Sequence, residues 1–85
     1  MRDKFTLADG QLSTYALACG YWQEYPKNRD AVQKVQLWHE GACYHVRQID
    51  YDKPQDIRVF WESFASIGEA RKLFAATKKS ITKGE

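Results

Sequence analysis

The stretch Val35-Gln-Leu-Trp-His-Glu-Gly-Ala-Cys-Tyr-His-Val-Arg47 decides the fold, because its pattern is that of two strands joined by a tight turn. On both sides of Glu40-Gly41, apolar side chains recur at every second position, which is the period of a strand with one buried face. This turn places Leu37 opposite Tyr44 and leaves Trp38 on the other face. The stretch therefore predicts a β-hairpin whose register is set by one-sided burial.

Two further strands are predicted beside this hairpin. From about Thr14 to Tyr25 large residues alternate with small ones, which favours a strand, although residues 15–19 also fit a short helix because alanine and leucine favour helices. A turn centred on Asn28 joins this segment to the hairpin. After the polar loop of residues 50–56, the run Ile57-Arg-Val-Phe-Trp-Glu62 alternates again, and we place its isoleucine, valine and tryptophan on the apolar face.

The period changes to that of a helix towards the end of the chain. Ser66-Ile-Gly-Glu69 matches a capping box, in which the serine hydroxyl accepts a hydrogen bond from the backbone N–H of the glutamate. Over residues 66–79 apolar side chains recur at helical spacing, and lysines and arginines occupy the opposite side. The predicted core joins Ile67, Leu73 and Phe74 of this helix to Leu17, Leu37, Val46, Val59 and Trp61 of the sheet.

The chain of 85 residues is predicted to form one α+β domain, an antiparallel β-meander of three to four strands with one C-terminal amphipathic helix packed on one face. Residues 1–13, which include the turn dipeptide Asp9-Gly10, form an N-terminal arm or short strand. Residues 14–64 form the meander, and residues 80–85 follow the helix as a tail. No run reaches the roughly 18 apolar residues of a membrane helix and no signal peptide is visible, so we expect a cytoplasmic protein without membrane contact.

The chain offers few groups for catalysis or metal binding. Cys43 and His45 lie on one strand face in a spacing that suits a thiol nucleophile and its base, but no third group orients them. His39 is predicted to face the other side of the sheet. The three aspartates of residues 50–56 fit turn chemistry better than a cation-binding loop. We expect no catalytic residue, no metal, no cofactor and no small-molecule substrate.

A single helix covers only one face of a sheet, so the second face is expected to be open to solvent. The predicted register places rings and basic side chains together on it: Trp22, Trp38, His45, Arg47, Arg58 and Phe60. Tryptophan and arginine anchor protein interfaces, so binding of a protein partner or a second copy is the first hypothesis. The alternative is single-stranded nucleic acid, whose bases stack on rings. A third alternative is that these rings partly cover one another or are covered by an arm of residues 5–12.

The segment from Arg71 to Lys83 carries five basic residues and no acidic residue. One interpretation is a solvated helix end, where cations suit the negative end of the helix dipole. The other interpretation is a binding patch that attracts a negatively charged partner.

Three segments resemble small uncharacterised proteins encoded by phages and other mobile elements: Tyr15-Ala-Leu-Ala-Cys-Gly-Tyr21, Tyr44-His-Val-Arg47 and Phe64-Ala-Ser-Ile-Gly-Glu-Ala-Arg71 with Phe74. The resemblance implies an accessory protein that acts by binding a component of the host or of the element. It attaches no functional motif to any residue, and it does not identify the partner.

Overall fold

The computed structural model describes residues 4–7, 11–52 and 58–83. The four strands form one antiparallel sheet in the order β1-β2-β3-β4, which confirms the predicted meander with a C-terminal helix on one face. The elements in chain order are α1 (Thr14–Leu17), β1 (Trp22–Tyr25), β2 (Gln33–Glu40), β3 (Cys43–Asp50), β4 (Arg58–Phe64) and α2 (Ile67–Lys83). The predicted turn at Asp9-Gly10 lies outside the described residues, as do Asp56 and Ile57.

The β2–β3 hairpin has the predicted faces, but its predicted register is wrong by two positions. Leu37 pairs with Val46 and Trp38 pairs with His45, so the loop residues are Gly41 and Ala42. Gly41 has a φ of 56°, a left-handed conformation that glycine adopts at the first position of a tight hairpin loop without steric cost. A period-two pattern is unchanged by a shift of two residues, which explains why the faces were predictable and the register was not.

The segment before β1 is a short helix, so the strand predicted from Thr14 is wrong there and the helical alternative holds. Ser13 caps α1, because its hydroxyl accepts a hydrogen bond from the backbone N–H of Ala16 at 3.2 Å. The strand β1 has only four residues. Tyr25 of β1 pairs with Val35 of β2. The centre of the connection between these two strands therefore lies two residues beyond the predicted centre at Asn28.

The strand β4 presents the opposite face from the predicted one over most of its length. Trp61 lies opposite Arg47 and Phe60 lies opposite Gln48, so Phe60 is on the side of α2 and Trp61 is on the far side. A bulge then leaves Val59 between pairs, and Arg58 returns to the predicted face opposite Ile49. The sequence of β4 has apolar residues on both faces, so alternation alone does not determine its orientation.

The helix α2 packs against β2 and β3 and, to a smaller extent, against β4. We call this side of the sheet the helix face and the other side the arm face. Leu17, Val59 and Trp61 were wrongly predicted to join the core on the helix face, since the first two are exposed and Trp61 lies on the arm face. The core on the helix face consists of Val35, Leu37, Val46, Ala70, Phe74 and Ile81, with Tyr21, Tyr25, Tyr44, Phe60, Phe64 and Leu73 packed around them.

Ser66 caps α2 as predicted, but the backbone partner of its hydroxyl and the C-terminal end of the helix differ from the predicted ones. The hydroxyl of Ser66 accepts from the backbone N–H of Gly68 at 3.2 Å, and not from that of Glu69. The helix continues to Lys83 instead of ending at residue 79, because Ile81 is buried against the sheet and prolongs the apolar stripe. No helix in the described ranges is long and apolar enough to cross a bilayer.

Candidate binding surfaces

The arm face is covered over its two central strands, β2 and β3, so the expectation that the whole face is open to solvent is wrong. Residues 4–7 and 11–13, which we call the N-terminal arm, lie over it together with α1. The ring of Phe5 lies 5.4 Å from the ring of Trp38 and 5.6 Å from that of Trp61, between ring centroids. Trp38 and Arg47 are 0% exposed as a result. The third alternative, in which the arm covers these rings, therefore holds for Trp38 and His45.

The six residues predicted to form one binding surface are separated by the fold. Trp38, His45 and Arg47 are buried beneath the arm. Arg58 is exposed, with its guanidinium 5.3 Å from the centroid of the Trp61 ring. The two remaining residues lie elsewhere: Phe60 packs on the helix face, and Trp22 is 41% exposed on β1 at the edge of the sheet.

A chain of hydrogen bonds crosses three strands beneath the arm. The guanidinium of Arg47 donates to Gln36 Oε1 and to Thr6 Oγ1, both at 2.7 Å. The amide of Gln36 donates to Glu24 Oε2 at 2.6 Å, and Lys34 Nζ donates to the other oxygen of that carboxylate at 3.2 Å. Burying a cation is costly unless its donors are satisfied, and these contacts supply that compensation. The chain therefore ties the arm to β3, β2 and β1.

A second polar cluster fixes the start of the arm to Glu40. The carboxylate Oε2 of Glu40 lies 2.9 Å from Lys4 Nζ and accepts a hydrogen bond from the Tyr15 hydroxyl at 2.8 Å. These two contacts lower the pKa of Glu40, and the bonds to this carboxylate raise the pKa of Lys4 and that of Tyr15. Burial lowers the pKa of His45. The Glu40 carboxylate opposes this shift, because its Oε1 lies 3.7 Å from His45 Nε2.

His45 has partners other than the predicted one. Its Nδ1 lies 2.7 Å from Ser63 Oγ and 3.4 Å from Trp61 Nε1, whereas no contact with the exposed Cys43 is found among the described residues. The order Ser63, His45, Glu40 resembles the residue types of an acyl-transfer triad. However, His45 is only 8% exposed and the carboxylate already binds two other groups, so the contacts fix the ring in place.

The groups considered for metal binding do not converge. His39 stacks on Tyr44 on the side opposite His45, as predicted. The carboxylate of Asp50 accepts from the backbone N–H of Asp52 at 3.0 Å, which is turn chemistry. In the part of the chain that the structure describes, no three His, Cys, Asp or Glu side chains lie close enough to hold an ion.

The strand β1 has a free edge. The backbone N–H of His39 donates to the carbonyl of Tyr21, and bonded pairs alternate along an antiparallel ladder, so Gln23 and Tyr25 also bond towards β2. Trp22 and Glu24 therefore direct their backbone N–H and C=O groups away from the sheet. No described residue pairs with this outer edge.

A groove runs along this edge, between β1 and the side of α2 that faces it. The groove is lined by residues 22–27 together with Phe74 and Lys78. The ammonium of Lys78 lies 4.8 Å from the centroid of the Tyr25 ring, and the guanidinium of Arg71 lies 5.7 Å from that of Tyr21. Because α2 lies over β2 and β3, the helix face of β1 is only partly covered.

Four exposed residues of α2 form one stripe above the groove. They are separated by four, three and four positions, which places them on one side of a helix: Arg71, Ala75, Lys78 and Thr82. The stripe faces β1, since the Tyr25 hydroxyl lies 2.8 Å from Thr82 Oγ1. Sequence reasoning noted the basic run but missed the groove. The seven-residue spacing of Arg71 and Lys78 was the available signal, while their position over β1 depends on how the helix crosses the sheet.

Comparison of the chain with protein-family models, with curated proteins and with solved structures finds no match. The resemblance to proteins of mobile elements therefore stays a prediction, and the function proposed below rests on the geometry.

Proposed function

We propose that this protein is a non-catalytic binding module that adds an extended segment of a protein partner to the edge of β1. The observation that carries the proposal is the pair of outward-facing backbone positions, Trp22 and Glu24. An extended peptide bonds to such an edge through its main chain, and pockets for alternate side chains give specificity. The partly exposed ring of Trp22 lies beside these groups and serves as an apolar anchor.

The short length of β1 defines the size of the partner segment. The strand ends at Tyr25, and Pro26 has no backbone N–H to offer. Natural proteins often protect sheet edges by keeping them short, so β1 suits a short partner segment better than a long one. The segment would cover the groove lined by residues 22–27 and pack against Phe74.

The fold gives less support to single-stranded nucleic acid, which stays the alternative prediction. Stacking needs open ring faces, and the rings of Trp38, Tyr21 and Tyr25 are not open. The first is buried, and the other two carry the cations of Arg71 and Lys78 over them. The free main-chain groups of β1 suit a peptide instead.

The proposal is tested by selecting random octapeptides on the immobilised protein and on two variants. Trp22→Pro removes an outward N–H that makes no bond to β2, and proline is tolerated on edge strands for that reason. Trp22→Ala removes the ring and keeps the N–H. Peptides enriched on the wild type are expected to bind Trp22→Ala more weakly and to be lost on Trp22→Pro.

Circular dichroism and thermal unfolding establish that both variants are folded. Equal enrichment on the wild type and Trp22→Pro would overturn the proposed use of the edge, as would a selection that yields no peptide.

A further inference from the structure

We infer that the segment bound at β1 is acidic, with a carboxylate at every second position on the side that faces α2. This inference rests on the proposed function, because it names the chemistry of the partner at the same edge. It is carried by the position of Arg71 and Lys78 on the helix face of β1, the strand beside which an added strand would lie.

The geometry places alternate side chains of the added strand beside this stripe. Neighbouring strands lie about 4.8 Å apart, and successive side chains point to opposite faces. Every second side chain of the partner would therefore lie on the helix face, on the side of β1 where Arg71 and Lys78 lie over the two tyrosine rings. The other side chains would lie beside Trp22 on the arm face, where an apolar residue suits the exposed ring.

The two cations of the stripe have no carboxylate partner within the described ranges. Each lies over a tyrosine ring, and neither takes part in a salt bridge. The one acidic residue of β1, Glu24, extends to the arm face and is held there by Lys34 and Gln36. The groove therefore has an uncompensated positive charge, which complements an acidic segment.

The spacing of the cations suits an extended chain. Arg71 and Lys78 are seven residues apart on a helix, a rise of about 10.5 Å. Residues on the same face of a strand recur about every 6.8 Å, so a partner with alternating acidic residues presents carboxylates to both cations within five positions.

The same charges disfavour a second copy of the chain as the occupant. Two β1 strands that pair antiparallel about a two-fold axis make one continuous sheet, and both copies of α2 then lie on the same side of it. The two stripes would face each other across the axis, bringing the Arg71 and Lys78 cations of one copy towards those of the other. Like charges in that arrangement oppose association.

The test measures binding of two fluorescent octapeptides by anisotropy at low and moderate salt. One alternates Glu with Val, and the other alternates Lys with Val, so the two share their length and alternation and carry charges of opposite sign. The Glu peptide is expected to bind the wild-type protein and the Lys peptide is not. Binding is expected to weaken at moderate salt, since the cations are exposed.

A matched pair of variants shows which cation of α2 the acidic peptide contacts. Lys78→Glu reverses a cation of the stripe, and Lys72→Glu makes the same change at an exposed position of α2 that lies about 100° around the helix from Arg71 and about 120° from Lys78. Lys78→Glu is expected to weaken binding of the Glu peptide by about three- to ten-fold, and Lys72→Glu by less than two-fold.

Several outcomes would overturn the inference. Equal binding of the two peptides, or equal effects of the two variants, would overturn the acidic partner and leave strand addition intact. The inference of an acidic partner is also overturned if neither peptide binds. The octapeptide selection then decides separately whether strand addition itself is wrong. If a single-stranded oligonucleotide displaces the Glu peptide and binds Trp22→Pro undiminished, the partner is a nucleic acid and the inference is wrong.

Discussion

The guanidinium of Arg47 donates a 2.7 Å hydrogen bond to the hydroxyl of Thr6, which lies 41 positions earlier in the chain. A fully buried cation of β3 thereby holds the N-terminal arm over the arm face. The same guanidinium lies 5.6 Å from the centroid of the Trp38 ring and bonds to Gln36. Three of the six side chains predicted to bind a partner, Trp38, His45 and Arg47, instead lie beneath the protein's own arm.

Replacing Arg47 is expected to destabilise the fold. Arg47→Met keeps much of the apolar stem but leaves Gln36 and Thr6 without a charged donor in a buried setting, at a cost of about 2 kcal/mol. Urea unfolding followed by circular dichroism measures this change. The control is Arg29→Met in an exposed turn, expected to stay within about 0.5 kcal/mol of the wild type. Equal stability of the two variants would contradict the role given to Arg47.

Removing the ring of Phe5 is expected to release the arm. Phe5 is 6% exposed and packs against the rings of Trp38, Trp61 and His45, so Phe5→Ala is expected to cost about 3 kcal/mol. Tryptophan emission should shift to the red as the two indoles become solvated. Leu7→Ala is the control, because Leu7 is 47% exposed. An unchanged emission spectrum in Phe5→Ala would show that the arm does not depend on this ring.

Stability is expected to depend on pH through His45. Burial lowers the pKa of His45 in the folded chain, so below about pH 6.5 the unfolded chain binds a proton that the folded chain does not. The free energy of unfolding therefore falls as the pH drops through this window, and it levels off once the folded ring is protonated.

Urea unfolding at pH values between about 7.5 and 5 measures this change in the free energy of unfolding. These pH values lie above the range in which Glu40 titrates, because the pKa of Glu40 is lowered. The pH dependence should vanish in His45→Gln and persist in the control His39→Gln. The same pH dependence of stability in both variants would show that a group other than His45 causes it.

The loop glycine of the central hairpin is expected to be required for stability. Gly41 has a φ of 56°, so Gly41→Ala forces an L-residue into a left-handed conformation and should cost about 1 kcal/mol. Gly68→Ala is a matched control in the first turn of α2, where an added Cβ would lie at an ordinary 3.5 Å from Ser66 Oγ. Thermal unfolding should show it unchanged or slightly stabilised. Equal destabilisation by both substitutions would contradict this account.

Much of the fold follows from periodicity that is visible in the sequence. Alternation around Leu37 and Val46 assigns the faces of β2 and β3, and the spacing of Ala70 and Phe74 assigns the side of α2 that packs on them. The register does not follow, because a shift of two residues preserves every face. The orientation of β4 does not follow either, since Phe60 and Trp61 are both apolar and a bulge intervenes.

The candidate site was less predictable than the fold. Whether Trp38 is open or covered depends on Phe5 and Thr6, which are far away in the chain, and no local pattern specifies such a contact. The exposure of Trp22 follows from β1 being an edge strand, which the predicted meander already implied. The cations over Tyr21 and Tyr25 depend on where α2 crosses the sheet, and this is a property of the packed core.

Amide hydrogen exchange, measured by NMR on the protein with and without a selected octapeptide, tests the use of the β1 edge most directly. Strand addition predicts an alternating result: exchange slows at the amides of Trp22 and Glu24, which point outward, while the amide of Gln23 is unchanged because it already bonds to β2. Exchange that slows elsewhere and leaves Trp22 and Glu24 unaffected would contradict the account.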